Sequence, residues 1–273
     1  MPTQAEKVQR FRALHARPGA FVLPNPWDVG TAVLLAKVGF EALATTSAGY
    51  AFSIGKPDNA VGREPMLAHV AAIVAATDLP VNADLENGFG DDPRTVAETM
   101  RRAAATGIAG GSIEDATGRS AEPIYPLEVA VERVRAAVSA VRALTVPFVL
   151  TARAENFVAG RPDLADTIAR LQAYQEAGAD VLYAPGLVSA EDIATVVRSV
   201  DRPVNVLMGR PGQGIDVAAL AAMGVKRVSV GSALSRVALG AFLAAARELR
   251  EHGTFDRMAG AIGYADLNAM FDP

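Results

Sequence analysis

The chain has 273 residues, of which 51% are hydrophobic, and its 26 Lys and Arg against 30 Asp and Glu give a formal net charge of −4. This size and apolar content suffice for a large core in one or two domains, while the nearly balanced charge excludes a global field that would attract nucleic acid or an anionic membrane. Cysteine is absent from the sequence, which excludes disulfides, thiolate metal sites and a cysteine nucleophile or acid.

Targeting signals are not evident in the sequence. The N-terminal segment lacks the apolar core of a signal peptide, and no apolar run approaches the roughly 20 residues that span a bilayer. We therefore predict a cytoplasmic protein.

Eight short apolar runs alternate with alanine-rich stretches of helical period. In order, the runs are residues 20–25, 42–47, 80–86, 110–115, 146–153, 180–186, 203–208 and 225–231. The helical stretches include residues 29–39, 64–76, 93–107, 126–144, 164–178, 189–200, 216–224 and 232–253. Several end in glycine, as helices do when the residue after the last turn is left-handed. The alternation predicts eight strand-then-helix units.

Eight such units are typical of a (β/α)8 TIM-type barrel, in which parallel strands are buried on both faces and read as apolar runs. A doubly wound open sheet shows the same alternation, but the count of eight favours the barrel. Because no linker or composition shift divides the chain, we predict one α/β domain over residues 1–273. Residues 240–273 form its C-terminal helical extension. The apolar tail from about Thr254 is expected to pack on the barrel or on a neighbouring subunit.

Polar side chains cluster where four consecutive predicted strands end, which is the end at which barrel active sites form. The candidates are Ser47 and Asp58 after strand two, Asp84 and Glu86 after strand three, Glu114 and Asp115 after strand four, and Arg153 and Glu155 after strand five. An isolated acid there is typical of a helix cap, but the convergence of several favours function. Crowded carboxylates repel each other unless a cation lies among them, and oxygen ligands without histidine or thiolate suit Mg²⁺, or alternatively Mn²⁺.

Other side chains are expected to have structural or secondary roles. His15, His69 and His252 fall in predicted helices away from the strand ends, so neither a histidine base nor a zinc site is expected. Lys226 begins strand eight, which is the wrong end of the barrel for a Schiff-base nucleophile. Tyr50 lies in the predicted loop after strand two, where it is either solvated or within reach of a substrate.

Three aspartates are predicted to be helix caps, and one glycine-rich segment is predicted to be an ordinary loop. Asp28 is predicted to cap the helix that follows it, and Asp91 and Asp92 to cap the helix that starts near Pro93. The segment "GRPGQG", residues 209–214, lacks the Gly-Lys-Ser/Thr ending of a phosphate-binding loop, so we interpret it as an ordinary loop after strand seven.

Four segments together resemble the isocitrate lyase/phosphoenolpyruvate mutase superfamily in order and spacing, specifically its phosphonomutase-like, oxaloacetate decarboxylase-like branch. They are "TTSAGYAFSIGKPD", "VNADLENGFG", "SIEDATG" and "TARAEN", and the resemblance covers roughly residues 8 to 245. It implies an α/β-barrel enzyme that binds Mg²⁺ and a small α-oxo acid and breaks or forms a C–C or P–C bond through a metal-held enolate. Glu86 stands where the superfamily usually has a second aspartate.

The resemblance also implies roles for individual residues. By matching position, the metal ligands are Asp84, as the main contact, with Glu86 and Glu114 acting largely through metal-bound water. The catalytic residues are Arg153, Asp58 on the loop after strand two, and Glu114. The substrate-binding residues are Ser47, the backbone around Ala48 and Gly49, Tyr50, and Arg153. Members often form tetramers that exchange C-terminal helices, which implies a homo-oligomer, either a dimer or a tetramer.

Two departures from the superfamily limit the predicted chemistry. Isocitrate and methylisocitrate lyases carry a cysteine acid after the strand-four acids, where this chain reads "EDATGRSAEPIYP", and their strand-seven Asn-x-Thr-Glu pattern is replaced by "NVLMGRPG". We therefore predict C–C cleavage or decarboxylation of an oxaloacetate-like substrate. The alternatives are a 2-methylisocitrate or alkylmalate lyase in which Tyr50 or Glu155 handles the proton, a P–C phosphonomutase or hydrolase, and a non-catalytic oxo-acid binder. A structural pairing of Glu155 with Arg153 is the favoured role for that acid.

Overall fold

The computed structural model describes residues 2–210 and 214–272. Within these residues, eight parallel strands form one sheet in the order β1-β8-β7-β6-β5-β4-β3-β2. The strands are β1 (Phe21–Leu23), β2 (Leu43–Ala44), β3 (Val81–Asp84), β4 (Gly110–Glu114), β5 (Val149–Arg153), β6 (Val181–Tyr183), β7 (Val204–Leu207) and β8 (Arg227–Ser229). Each lies inside one of the eight predicted runs, so the prediction of a (β/α)8 barrel is confirmed.

The sheet curls into a nearly closed barrel. β1 pairs with β8 in parallel, with Phe21 opposite Arg227. On its other side, the N–H of Ala44 in β2 donates to the carbonyl of Pro24, just after β1, at 3.0 Å. This curling gathers the carboxyl ends of all eight strands at one rim.

Helices alternate with the strands around the barrel. They are α1 (Gln4–Ala16), α2 (Val29–Val38), α3 (Ser47–Ser53), α4 (Arg63–Ala75), α5 (Pro93–Ala104), α6 (Leu127–Arg142), α7 (Leu164–Glu176), α8 (Ala190–Arg198), α9 (Val217–Ala222), α10 (Ala233–His252) and α11 (Tyr264–Ala269), with a short 3₁₀ helix at Asp256–Gly260. All eight predicted helical stretches are present. Residues 211–213 of the "GRPGQG" segment lie outside the described residues.

Local capping explains two differences from the predictions. The segment after β2 was expected to be a loop, but the Thr46 side chain accepts from the Gly49 N–H and starts the short helix α3. Asp92 caps α5 as predicted, whereas the prediction for Asp91 is wrong. The carboxylate of Asp91 instead binds Arg119 and the Tyr125 hydroxyl, because the chain turns it away from the helix. Asp28 caps α2 as predicted.

Helix α1 covers the amino-terminal end of the barrel. Its Val8 and Phe11 are fully buried in a cluster with Phe21 of β1 and Val149 and Val181 at the strand starts. The Phe11 and Phe21 rings meet edge to face with centroids 6.2 Å apart. This helix therefore packs across the end of the barrel opposite the carboxyl-terminal rim.

The C-terminal extension is largely exposed. On α10, Val237 is 71% exposed and Phe242 65% exposed. The tail returns to α2, where the Lys37 ammonium donates to the carbonyl of Asp272 at 2.9 Å. None of the helices within residues 2–210 and 214–272 has the length and apolar character needed to cross a membrane.

Candidate active site

A cavity of about 230 Å³ opens at the carboxyl-terminal rim, and residues from all eight strands line it. Asp58, Asp84 and Arg153 lie on its walls. Glu86 and Glu114 line an adjoining cavity, and Glu114 also lines a second one together with Asp58 and Arg153. The acids predicted from four separate strand ends therefore meet at one rim.

Arg153, at the end of β5, is the centre of the cluster. Its Nη1 lies 2.8 Å from Asp84 Oδ1 and 2.9 Å from Glu114 Oε2. Its Nε lies 2.8 Å from Glu155 Oε1, the contact expected if Glu155 is a structural partner of Arg153. The β4–β5 register places Glu114 directly opposite Arg153. Burial alone would lower the pKa of Arg153, but Glu114, Glu155 and Asp84 outweigh burial and hold the pKa well above its usual value.

Glu86, two residues after β3, is buried and strained. Its φ of 49° lies in the left-handed region, where a non-glycine residue costs on the order of 1–3 kcal/mol and often marks a functional site. Within the described residues, its Oε1 has no hydrogen-bond partner. Burial, followed by the negative charges of Asp84 and Asp58, raises the pKa of Glu86 to about 8. A buried carboxylate without a partner requires a proton or a cation.

The pKa values of Glu114 and Asp58 are raised, as that of Glu86 is. Burial raises the pKa of Glu114 well above its usual value despite the nearby Arg153. Asp58 lies on the loop after α3, where loss of hydration and then the charge of Asp84 raise its pKa. Its Oδ1 accepts the N–H of Asn59 at 3.0 Å. Loss of hydration is the largest cause of the raised pKa in all three acids, and neighbouring carboxylates raise it further in each.

A divalent cation fits this donor set. As the side chains are placed, no three or more acids or histidines among the described residues are arranged to hold a metal ion, because Asp84 and Glu114 face Arg153. The donors are nevertheless all carboxylate oxygens, the single charge of Arg153 cannot neutralise them, and Glu86 Oε1 is unpartnered. Hard oxygen donors of this kind match Mg²⁺ or Mn²⁺. Asp84, Glu86 and Glu114 remain the predicted ligands.

Three of the five predicted substrate-binding residues lie on the cavity wall, Arg153 among them. Ser47 and Ala48, in the first turn of α3, both line the cavity. The Ser47 N–H donates to Asp84 Oδ2 at 3.1 Å, which joins the start of α3 to the acid cluster.

The other two are placed behind this wall. Gly49 is buried, and a Cβ added to it would lie 2.6 Å from Thr46 Cγ2 and 2.9 Å from Trp27 Cβ. The close approach explains the glycine. The ring of Tyr50 stacks on His69 with centroids 3.8 Å apart. Neither Gly49 nor Tyr50 lines the cavity. Substrate binding by these two residues therefore stays a prediction.

Asp115 has a role that the sequence did not reveal. Its buried carboxylate accepts the Glu155 N–H at 2.8 Å, the Tyr174 hydroxyl at 2.6 Å and Arg170 Nη1 at 3.0 Å. It thus fixes the backbone just after β5, next to Arg153. Two of the partners, Arg170 and Tyr174, come from α7, whose helical sequence carries no motif that marks them.

Comparisons with known proteins give the family and fold of this chain. The profile of the phosphoenolpyruvate phosphomutase family matches residues 11–250. The crystal structure of a proposed lyase/mutase from Burkholderia cenocepacia J2315 is 62% identical, with a TM-score of 0.96 over 99% of this chain and 97% of that chain. "Probable 2-methylisocitrate lyase 1" of Corynebacterium glutamicum is 30% identical over 264 residues, which cover 92% of this chain and 85% of that protein. A structure of oxaloacetate acetylhydrolase with its product oxalate is 27% identical, with a TM-score of 0.88 over 99% of this chain and 95% of that chain.

The family profile covers most of the barrel, and the relatives share its fold over nearly the whole chain. The resemblance inferred from the four sequence segments is thereby confirmed. This chain belongs to the isocitrate lyase/phosphoenolpyruvate mutase superfamily.

Proposed function

We propose that the protein is a Mg²⁺-dependent enzyme that cleaves a carbon–carbon bond of a small α-oxo acid, most simply by decarboxylating an oxaloacetate-like substrate. The observation that supports it most is the group of acids around Arg153, with the unpartnered Glu86 carboxylate, at the open rim of the barrel. The similarity to oxaloacetate acetylhydrolase supports the substrate class.

Three acids would hold the cation, namely Asp84 directly and Glu86 and Glu114 largely through water. When bound, Mg²⁺, or Mn²⁺ in its place, would act as a Lewis acid that stabilises negative charge on the oxo oxygen as the bond to C3 breaks. Loss of CO₂ needs this stabilisation but no base to start it. The missing cysteine acid is therefore compatible with decarboxylation.

Arg153 would supply a fixed positive charge to the substrate. Glu155 holds its Nε, and the Tyr183 ring lies 5.2 Å from its guanidinium carbon. A guanidinium held on two sides needs little reorganisation when charge develops on a substrate oxygen. Arg153 would thus contact the oxo oxygen or the C1 carboxylate.

The start of α3 would receive the C1 carboxylate. The Ser47 hydroxyl and the N–H groups around Ala48 and Gly49 are the proposed donors. The hydrogen bond from the Ser47 N–H to Asp84 keeps this turn beside the acid cluster. Asp58 lines the same cavity from the following loop.

A second candidate is a C–C lyase that acts on an alkylmalate-type acid. The similarity to a 2-methylisocitrate lyase favours it. Glu155 would then handle the proton, since burial raises its pKa to about 7, a value suited to proton exchange near neutral pH. Activity on substituted malates that disappears in Glu155→Gln would select this candidate.

We also propose a homo-oligomer, either a dimer or a tetramer. The exposed apolar side chains of α10, including Val237 and Phe242, support it because monomers rarely expose so much apolar surface. Light scattering coupled to gel filtration measures the mass directly, and a monomer at micromolar concentration would contradict the proposal.

The catalytic proposal is tested by incubating the purified protein and Mg²⁺ with oxaloacetate, 2-methylisocitrate and phosphonopyruvate. We expect pyruvate and CO₂ from oxaloacetate, loss of turnover in Asp84→Asn, and normal turnover in Glu98→Gln, an exposed α5 acid that serves as the matched control. Inertness toward all three compounds, with and without metal, would contradict the proposed enzyme class. Turnover of phosphonopyruvate alone would select P–C chemistry.

A further inference from the structure

The barrel interior below the acid cluster is polar. In most barrels of this fold, branched apolar side chains fill this space. Here the described interior includes Asn82, Ser112, Thr151, Asn205, Arg227 and Ser229, all of them buried. With the exception of Thr151, these residues also line the cavity that contains Arg153 and Asp84. The cavity therefore continues from the rim down to a polar floor.

Arg227, the first residue of β8, is the positive charge of this floor. Only 2% of the residue is exposed. Its Nε donates to Asn205 Oδ1 at 2.9 Å, and its Nη2 donates to Thr151 Oγ1 at 3.1 Å. Its Nη1 lies 3.5 Å from Nε2 of His15, whose pKa burial and then Arg227 lower to about 3, so the imidazole is neutral. Every one of these contacts is uncharged.

Arg227 lacks a counterion inside the protein. No carboxylate within residues 2–210 and 214–272 forms an ion pair with it. Burial lowers the pKa of Arg227 to about 9, which still leaves it charged at neutral pH. A buried charge without an opposite charge is costly, and such groups are normally paired or meet a ligand.

Asn82 of β3 provides a second indication on the same floor. Its Oδ1 has no hydrogen-bond partner within the described residues, and its Nδ2 makes only a 3.5 Å contact with the carbonyl of Ala83. This buried amide can therefore turn its NH₂ group toward the cavity, since its two ends are interchangeable in shape. The cavity that Arg227 lines thus contains unused donor capacity.

We propose that Arg227, together with Asn82 and Asn205, forms a second anion-binding subsite on the cavity floor, which takes the distal carboxylate of an α-oxo dicarboxylate. This inference rests on the proposed function, in which the rim binds the α-oxo acid end of the substrate. Arg227 contacts Thr151, two residues before Arg153 on β5, and two strand residues span about 6.6 Å. A short dicarboxylate can reach both Arg153 at the rim and Arg227 on the floor. A monocarboxylate such as pyruvate reaches only the rim.

The test uses calorimetric titration of the full-length protein in Mg²⁺ with two probes. Pyruvate has no distal acid, and 3,3-difluorooxaloacetate has one. We expect the wild-type protein to bind the dicarboxylate at least about tenfold more tightly, as one charge-assisted contact provides. Arg227→Met should abolish this preference while changing pyruvate affinity less than about twofold, and Arg227→Lys should retain part of the preference. Lys226→Met removes the neighbouring cation, which donates to the Arg17 carbonyl, and should change neither affinity.

Thermal melting separates ligand recognition from a purely structural role. Because Arg227 is an unpaired buried cation, its replacement by Met should leave the melting temperature of the ligand-free protein nearly unchanged. Equal losses of affinity for both probes with a lower melting temperature, or no loss for either probe, would overturn the subsite. Binding of both probes with the predicted preference but no turnover of oxaloacetate would refute the proposed reaction and support the subsite. Failure of the wild-type protein to bind either probe would refute both.

Discussion

The raised pKa of Glu86 makes divalent metal binding dependent on pH. In the metal-free protein, burial and the charges of Asp84 and Asp58 raise this pKa to about 8. At pH 7 the carboxyl is then about 0.9 protonated, and it must lose this proton to become a metal ligand. We therefore expect Mg²⁺ or Mn²⁺ binding to release about 0.9 proton from Glu86 at pH 7, with a further contribution from Glu114, whose pKa is also raised.

The affinity for the divalent cation should change with pH for the same reason. Below pH 8, each unit of pH raises the ionised fraction of Glu86 nearly tenfold, from about 0.01 at pH 6 to about 0.09 at pH 7, so the dissociation constant should fall about ninefold over this interval from Glu86 alone. Calorimetric titration of Mn²⁺ in buffers of different ionisation enthalpy measures the number of protons released. Glu86→Gln should lower this number by about 0.9 and flatten the pH dependence. Glu98→Gln, on the exposed face of α5, should change neither.

The outcome that refutes this reasoning is equally specific. A proton release near zero together with a constant affinity from pH 6 to pH 8 would show that Glu86 is ionised before the metal arrives. Its burial and lack of a partner would then require another explanation. A full release that persists in Glu86→Gln would assign the proton to a different acid.

The remaining predictions concern the rim and its support. Arg153→Lys should lower kcat/KM about 10²–10³-fold in a steady-state assay, because lysine cannot hold the fork of contacts to Asp84, Glu114 and Glu155; a change below threefold would contradict its role. Gly49→Ala should weaken pyruvate binding and lower the melting temperature, since its Cβ would lie 2.6 Å from a Thr46 methyl group; unchanged melting would contradict the packing. Tyr174→Phe should lower the free energy of unfolding by about 1–3 kcal/mol in urea titration, because the buried Asp115 loses a donor; a neutral effect would show that Asp115 finds another partner. Without metal, stability should fall as pH rises from about 4.5 to 8, because folded Glu86 binds its proton more tightly than the unfolded chain does, and Mg²⁺ should raise the melting temperature more at pH 8 than at pH 6.

The arrangement of the barrel could be predicted from sequence because burial of a parallel sheet leaves a direct pattern. Strands covered on both faces must be apolar, so β1 to β8 each lie within an apolar run. The helices between them follow from amphipathic period and glycine ends. The helix α3 could not be predicted in the same way, since its seven residues are too few for a periodic pattern and its start depends on the Thr46 cap.

The acids of the site could also be located, because strand ends of a barrel converge on one rim. Asp84, Glu114 and Arg153 meet there within hydrogen-bonding distance. The partners that each acid takes could not be derived, since they depend on side-chain directions and register across strands. The pairing of Arg153 with both acids, and the strained backbone of Glu86, are examples.

The polar floor was missed although the sequence contained its signal. Asn82, Thr151 and Asn205 interrupt apolar runs at positions that face the interior, where a strand of an ordinary barrel would carry valine or isoleucine. Arg227 sits next to Lys226, and only the alternation of side chains along β8 sends one inward and the other outward. Register, which a single sequence does not fix, decides which of the two becomes functional.

The central claim is that carboxylates from neighbouring strands bind a divalent cation together with an α-oxo acid. A crystal structure of the protein grown with Mn²⁺ and pyruvate, with anomalous data collected near the manganese edge, tests it directly. The account predicts one strong anomalous peak among Asp84, Glu86 and Glu114, with the ligand beside Arg153 and Ser47. A map without that peak, in which Asp84 and Glu114 remain paired with Arg153, would contradict it.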